Sequence, residues 1–203
     1  MGTNIKRKKF PCYELFIAPL AVVLNPSELE RISFAYFESK YGHANQKRDD
    51  GSRFFDHPKA AAWIYINELG GRNPRIIVDL LLHDIPEDQY LLSFYRISLN
   101  FGPDTALDVR SLTKLPKNKE SFEDNMYRII VQGPEAMVSK LCDRLHNVRE
   151  LGSCSQKKRK NKIEETKEYI PMLFPALRSH GGEWVEQANV LEKKLNEALE
   201  EYE

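Results

Sequence analysis

One stretch constrains the fold of this chain more than any other: Ile76-Ile77-Val78-Asp79-Leu80-Leu81-Leu82, followed at once by His83-Asp84. Pro74 opens a helix that carries this apolar run, since a missing N–H is harmless at a first helical position. Pro86 disfavours helical backbone at Ile85, so the helix is expected to break at the His-Asp pair. An imidazole and a carboxylate next to a core-forming helix are costly to bury unless something pairs with them. A divalent cation is the simplest partner. His57, in His57-Pro58, and Asp143, in Asp143-Arg144-Leu145-His146-Asn147, offer the same donor types elsewhere. Two imidazoles and two carboxylates make a mixed nitrogen/oxygen shell. These residues come from separate segments, so spacing alone does not establish a site. A His-Asp pair on its own reads more readily as a satisfied helix end.

The 203 residues suggest one domain, 1–203, long enough to bury a core without disulfides. Lys+Arg and Asp+Glu both number 30, so no net field draws in nucleic acid. Three scattered cysteines, Cys12, Cys142 and Cys154, fit a reducing, cytoplasmic setting better than a disulfide framework. Cys142 adjoins Asp143 but reads as a small buried helix residue. No apolar run approaches the roughly 20 residues of a membrane span. The N-terminal segment, basic at Lys6-Arg7-Lys8-Lys9 and interrupted by Pro11, Glu14 and Pro19, reads as a packing arm or first helix, not a signal peptide.

The pattern is helical throughout, and no β period appears. Asn25-Pro26-Ser27 starts a helix to about Lys40, and a polar loop fills 42–56. Further helices are expected from Pro58 to Gly70-Gly71, at Leu91–Phe101, Pro103–Leu112, Ser121–Val131 and Pro134–Leu151, after the basic run Lys157–Lys162 to about Ser179, and over 182–203. The fold class is all-α.

Several segments carry a family resemblance. His43-Ala44-Asn45-Gln46-Lys47-Arg48-Asp49-Asp50-Gly51, continuing to His57-Pro58, resembles the HxGQxRxxG…HP signature of RelA/SpoT-homologue hydrolase domains. Leu82-His83-Asp84-Ile85-Pro86-Glu87-Asp88 is similar to their LHDxxED box, and Phe101-Gly102 with Leu112-Thr113-Lys114-Leu115 to the FG…TKL segment that follows it. Lys140-Leu141-Cys142-Asp143-Arg144-Leu145-His146-Asn147-Val148-Arg149 resembles their KLADRLHNxR helix. Order and spacing hold across about residues 29–175.

The resemblance implies a helical HD-domain fold of the small stand-alone type: a manganese-dependent enzyme removing 3′-pyrophosphate from (p)ppGpp-like alarmone nucleotides. It implies metal ligands His57, His83, Asp84 and Asp143, with Glu87 and Asp88 for the proton chemistry. It places Arg48, Asn147 and Tyr169 at the nucleotide. Lys140 and Arg144, four apart on one helix, could balance the pyrophosphate or pair with the acids. Lys162 could meet a phosphate or belong to a solvated face.

The sequence departs from the family at three places. Asn45 stands where glycine is usual, Asp49-Asp50 replaces a Lys-Ser pair, and Glu150 replaces threonine. The acidic pair puts guanine specificity in doubt and opens two alternatives, (p)ppApp hydrolysis and an NADPH phosphatase. A non-catalytic nucleotide-binding module is the remaining reading.

Overall fold

The computed structural model describes residues 11–85, 93–113 and 120–202. Among these the elements are α1 (Tyr13–Ala21), α2 (Pro26–Gly42), α3 (Asp56–Trp63), α4 (Pro74–Leu82), α5 (Phe94–Phe101), α6 (Pro103–Leu112), α7 (Phe122–Gln132), α8 (Pro134–Arg149), α9 (Gln156–Glu168), α10 (Leu173–Ser179) and α11 (Glu183–Glu200). No strand occurs among the described residues, only an isolated antiparallel bridge between Lys47 and Arg53 in the 42–56 loop. None of these helices is long and apolar enough to cross a membrane.

Local chemistry explains most helix starts. At α2 the Asn25 side chain accepts from the Glu28 N–H at 3.0 Å, and the Glu28 carboxylate accepts from the Asn25 N–H at 2.9 Å. This reciprocal box satisfies two N–H groups that the helix itself cannot. Ser121 and Asp124 repeat it at α7. Prolines open α4, α6 and α8.

Four details depart from the sequence expectation. Pro19 lies inside α1 without ending it. Helix α3 begins at Asp56, ahead of Pro58, so His57 sits in its first turn. Asp56 is favoured there by the positive helix end and is held by Arg53 and Lys59, each at 3.0 Å. After Trp63 the helix widens into a π turn, Ile64–Glu68, with the Leu69 N–H bonded to the Ile64 carbonyl at 3.3 Å. The chain then folds so tightly that a Cβ at Gly71 would fall 2.2 Å from the Tyr65 ring. Finally, the basic run is itself helical, in α9. It stops at Tyr169, and a separate short turn, Ile170–Met172, with Pro171 at its second position, precedes α10.

Helix α8 is the axis of the molecule. Every residue from Ala136 to His146 is buried, and α3, α4, α6, α7 and α11 pack around it. Helix α4 is buried along its whole apolar run. One continuous hydrophobic cluster joins these helices. Its C-terminal anchor is Glu68, which takes two bonds from Arg149, at 2.7 and 3.0 Å, and one from Lys194 at 2.9 Å. The start of α3, the end of α4 and the middle of α8 are thereby brought to one point.

Asp79 is the polar exception inside α4. It is fully buried against Asp108, which Arg75 and Gln132 already satisfy. Burial, and then repulsion from Asp108, holds the Asp79 carboxyl protonated, well above the usual carboxylate range. The folded state therefore keeps a proton that the unfolded chain releases above about pH 4, and stability drains away as pH rises from there. Asp79→Asn mimics the neutral form. Thermal melts of the two proteins should coincide near pH 4 and separate in favour of Asp79→Asn towards neutrality. A gap that stays constant with pH would contradict this.

Candidate metal centre

His57 enters from the first turn of α3, His83 and Asp84 from the turn that ends α4, and Asp143 from the middle of α8. Their polar atoms converge. His57 Nε2 lies 3.1 Å from Asp143 Oδ1 and 3.4 Å from Asp84 Oδ2. His83 Nε2 lies 3.3 Å from Asp84 Oδ1 and 3.6 Å from Asp143 Oδ1. One donor atom from each of His57, His83 and Asp143 falls within 4.8 Å of the others. Donors about 2.1 Å from one ion sit roughly 3 Å apart at octahedral angles, so the spacing fits a single cation.

The hydrogen bonds behind these atoms fit the same use. The His83 Nδ1–H donates to the Leu80 carbonyl at 2.8 Å, which leaves Nε2 facing the centre. That Nε2 is buried with no hydrogen-bond partner. Asn147 Nδ2 donates to Asp143 Oδ1 at 2.5 Å, and Lys140 Nζ reaches Oδ2 at 3.3 Å. Burial alone would raise the Asp143 carboxyl. Lys140 and the two histidines outweigh it and hold the group ionised, well below the carboxylate range. Burial lowers His57. It also opposes a charge on His83, but Asp84 and Asp143 prevail and lift that imidazole to about 9.

A cavity of about 360 Å³ opens over these four residues. Of the residues singled out in the sequence, Arg48, Lys140, Arg144, Asn147 and Lys162 line it. An Arg48 Nη lies 3.4 Å from Asn147 Oδ1, so Asn147 links the cavity wall to Asp143. Arg144 is buried, 3.6 Å from Glu165 and against the Phe122 ring at 5.4 Å. Tyr169 is not among the lining residues; it packs against Phe122, ring centroids 5.0 Å apart. Glu87 and Asp88 lie outside the described residues. Lys47, Phe54 and Lys158 also line the cavity and were not singled out. The sequence hid Lys158 because the basic run was expected to precede the helix; with the run helical, Lys158 and Lys162 stand one turn apart and line the same cavity.

The acidic pair in the loop has other partners. Asp49 is bonded to Lys158 at 2.5 Å across the cavity mouth. Asp50 accepts from the Ser52 N–H at 2.9 Å and from its hydroxyl at 2.6 Å, closing its own turn at Gly51, where φ is +78°. His43 stacks on Phe54 and contacts Gln46, the loop-orienting role.

The site is a buried cluster of imidazoles and carboxylates at the foot of a cationic cavity, in an all-helical domain. In sequence the chain is 34% identical over 151 residues to a probable guanosine-3′,5′-bis(diphosphate) 3′-pyrophosphohydrolase of Synechocystis, covering 70% of this chain and 19% of the relative. It is 36% identical over 157 residues to a GTP pyrophosphokinase of Streptomyces coelicolor, covering 73% and 18%. It is 32% identical over 165 residues to the bifunctional (p)ppGpp synthase/hydrolase SpoT of Escherichia coli, covering 77% and 23%. The chain thus spans about a fifth of the length of the curated relatives it matches. No family model matches it. A solved structure of a metazoan SpoT ortholog, described as hydrolysing ppGpp, superposes with a TM-score of 0.71 at 23% identity, covering 89% of this chain and 98% of that one. These findings relate the chain, in sequence and in fold, to the RelA/SpoT homologues.

The elevated His83 carries a testable sign. Its pKa is about 9 when folded, against an ordinary 6.5, so the stabilisation from its charge is complete below pH 6.5 and is lost as pH rises through 9. Melting of metal-stripped protein should fall over that window, and His83→Gln should flatten the fall. An unchanged slope in the variant would exclude His83 as the source.

Proposed function

We propose that this chain is a divalent-metal-dependent 3′-pyrophosphohydrolase acting on (p)ppGpp-type alarmones. The observation that carries the proposal is the convergence of His57, His83, Asp84 and Asp143 at the foot of a cavity walled by cations. The relatives' names include both synthesis and hydrolysis, and this cluster favours hydrolysis. These four residues are assigned as ligands, and the hard, oxygen-containing donor set suits manganese. A cation held there supplies Lewis acidity and a water of lowered pKa.

The remaining work falls to the chain's own residues. Lys140, Arg144, Lys158 and Lys162 are placed to hold the pyrophosphate oxygens and offset the charge that builds as the phosphate ester bond breaks. Arg48 is placed for stacking on a nucleobase, as a planar guanidinium does well, and Asn147 orients it. Glu87 and Asp88 follow the His83-Asp84 pair after two intervening residues, and we assign them proton transfer to and from the attacking water. Tyr169 would act only through Phe122 and Arg144.

Asp49 and Asp50 are engaged with Lys158 and Ser52. One oxygen of each carboxylate is thus bonded within the protein, and with relatives named for guanosine-3′,5′-bis(diphosphate) the guanine alarmone is taken as the preferred substrate over (p)ppApp and NADPH. Purified protein with manganese should release pyrophosphate and GDP from ppGpp faster than it cleaves ppApp or takes phosphate from NADPH. Silence on ppGpp with activity on either competitor would overturn the assignment. Replacing Glu87 and Asp88 by Gln and Asn should leave manganese bound and lower kcat by about 100-fold or more; turnover near the wild-type rate would exclude their role.

A further inference from the structure

His57 differs from the other imidazole of the centre in what stands behind it. His83 Nδ1 faces the Leu80 carbonyl, which can only accept, so its tautomer is fixed. His57 Nδ1 faces His146 Nδ1 at 2.8 Å, both rings buried, centroids 4.9 Å apart. A nitrogen–nitrogen contact that short holds one proton between two lone pairs. In one arrangement His57 Nδ1–H donates to His146 Nδ1 and the His57 Nε2 lone pair faces Asp84 and Asp143. In the other, His146 Nδ1–H donates to His57, and His57 carries its proton on Nε2, where it blocks a cation. Passing from the second to the first moves the bridging proton onto His57, removes the Nε2 proton of His57 and places one on His146 Nε2, with no net change of protons.

We propose that His146 is a positioning residue that selects the metal-binding tautomer of His57, an inference that rests on the metal-centre reading above. Helix geometry makes the arrangement economical. Asp143 and His146 are three apart and share a face of α8, so one helix supplies a carboxylate ligand and also orients the imidazole brought by α3. Partners behind a ligating histidine are commonly carboxylates or carbonyls, which enforce one tautomer. An imidazole can donate or accept. His57 is therefore the ligand whose readiness depends on a neighbour's proton, and Asp143, His146 and Asn147 act as one unit.

The test is metal affinity, measured by calorimetry with manganese and no nucleotide. His146→Leu keeps the bulk and removes the acceptor; His146→Asn returns an oxygen at nearly the same distance from the backbone. We expect His146→Leu to bind manganese about 10- to 100-fold more weakly and His146→Asn to recover much of the loss, while the metal-free melting temperatures stay close. Should His146→Leu not fold, the wild-type protein decides the matter: 15N spectra with zinc as a diamagnetic ion should show His146 bare at Nδ1 and protonated at Nε2, with its Nδ1 coupled through the hydrogen bond to the His57 Nδ1–H. Wild-type affinity in folded His146→Leu, or His146 protonated at Nδ1 in the loaded protein, overturns the inference while leaving the metal centre intact. Wild-type protein that binds no divalent ion overturns the metal centre itself, and this inference with it.

Discussion

Two carboxylates, Asp84 and Asp143, are held within 3.6 Å of the same two imidazole nitrogens at a point where three core helices meet. Like charges at such a place repel and lose water. The fold accepts them because positive charge is provided from several directions: Lys140 on one side, a charged His83 when no metal is present, and the cation that the donor set fits. The burial of α4 and α8 follows from the same requirement, since only rigid, enclosed helices hold donor atoms from distant segments at ligand spacing. The paired Glu68, Arg149 and Lys194 at the far end of α8 fix the register of that axis.

The centre grades outward from acid to base. At its foot are acids that attract a cation; around them stand Lys140, Arg144, Lys158 and Lys162, which attract the polyanion that a cation would help to break. A chain with zero net charge can therefore present a strongly polarised cavity. Asn147 joins the two zones, donating to Asp143 and accepting from Arg48. The acidic loop residues fit within this scheme, because Asp49 offsets Lys158 at the mouth and Asp50 shapes the turn.

Much of this was legible in the sequence because it depends on local chemistry. Proline at a first helical turn placed the start of α4, and the helix ends at the His83-Asp84 turn as expected, although Ile85, which Pro86 was expected to keep out of helix, is itself helical. The apolar run and the DRLHN-type segment marked the two most buried helices. Other features depend on side-chain contacts, some local and some distant in sequence, that no residue pattern announces. The start of α3 ahead of Pro58 rests on Asp56 meeting Arg53 and Lys59, and the π turn rests on the close approach of Tyr65 and Gly71. The destinations of Asp49 and of Tyr169 rest on α9 and α7, and no local pattern reveals them. The His57–His146 bond links residues 89 apart and has no signature in spacing.

The most direct measurement is an anomalous difference map from crystals soaked in manganese, recorded at the manganese edge. One strong peak is expected, bounded by His57 Nε2, His83 Nε2 and the carboxylates of Asp84 and Asp143. A well-ordered crystal with no peak there, or with manganese held by other residues, would contradict that expectation.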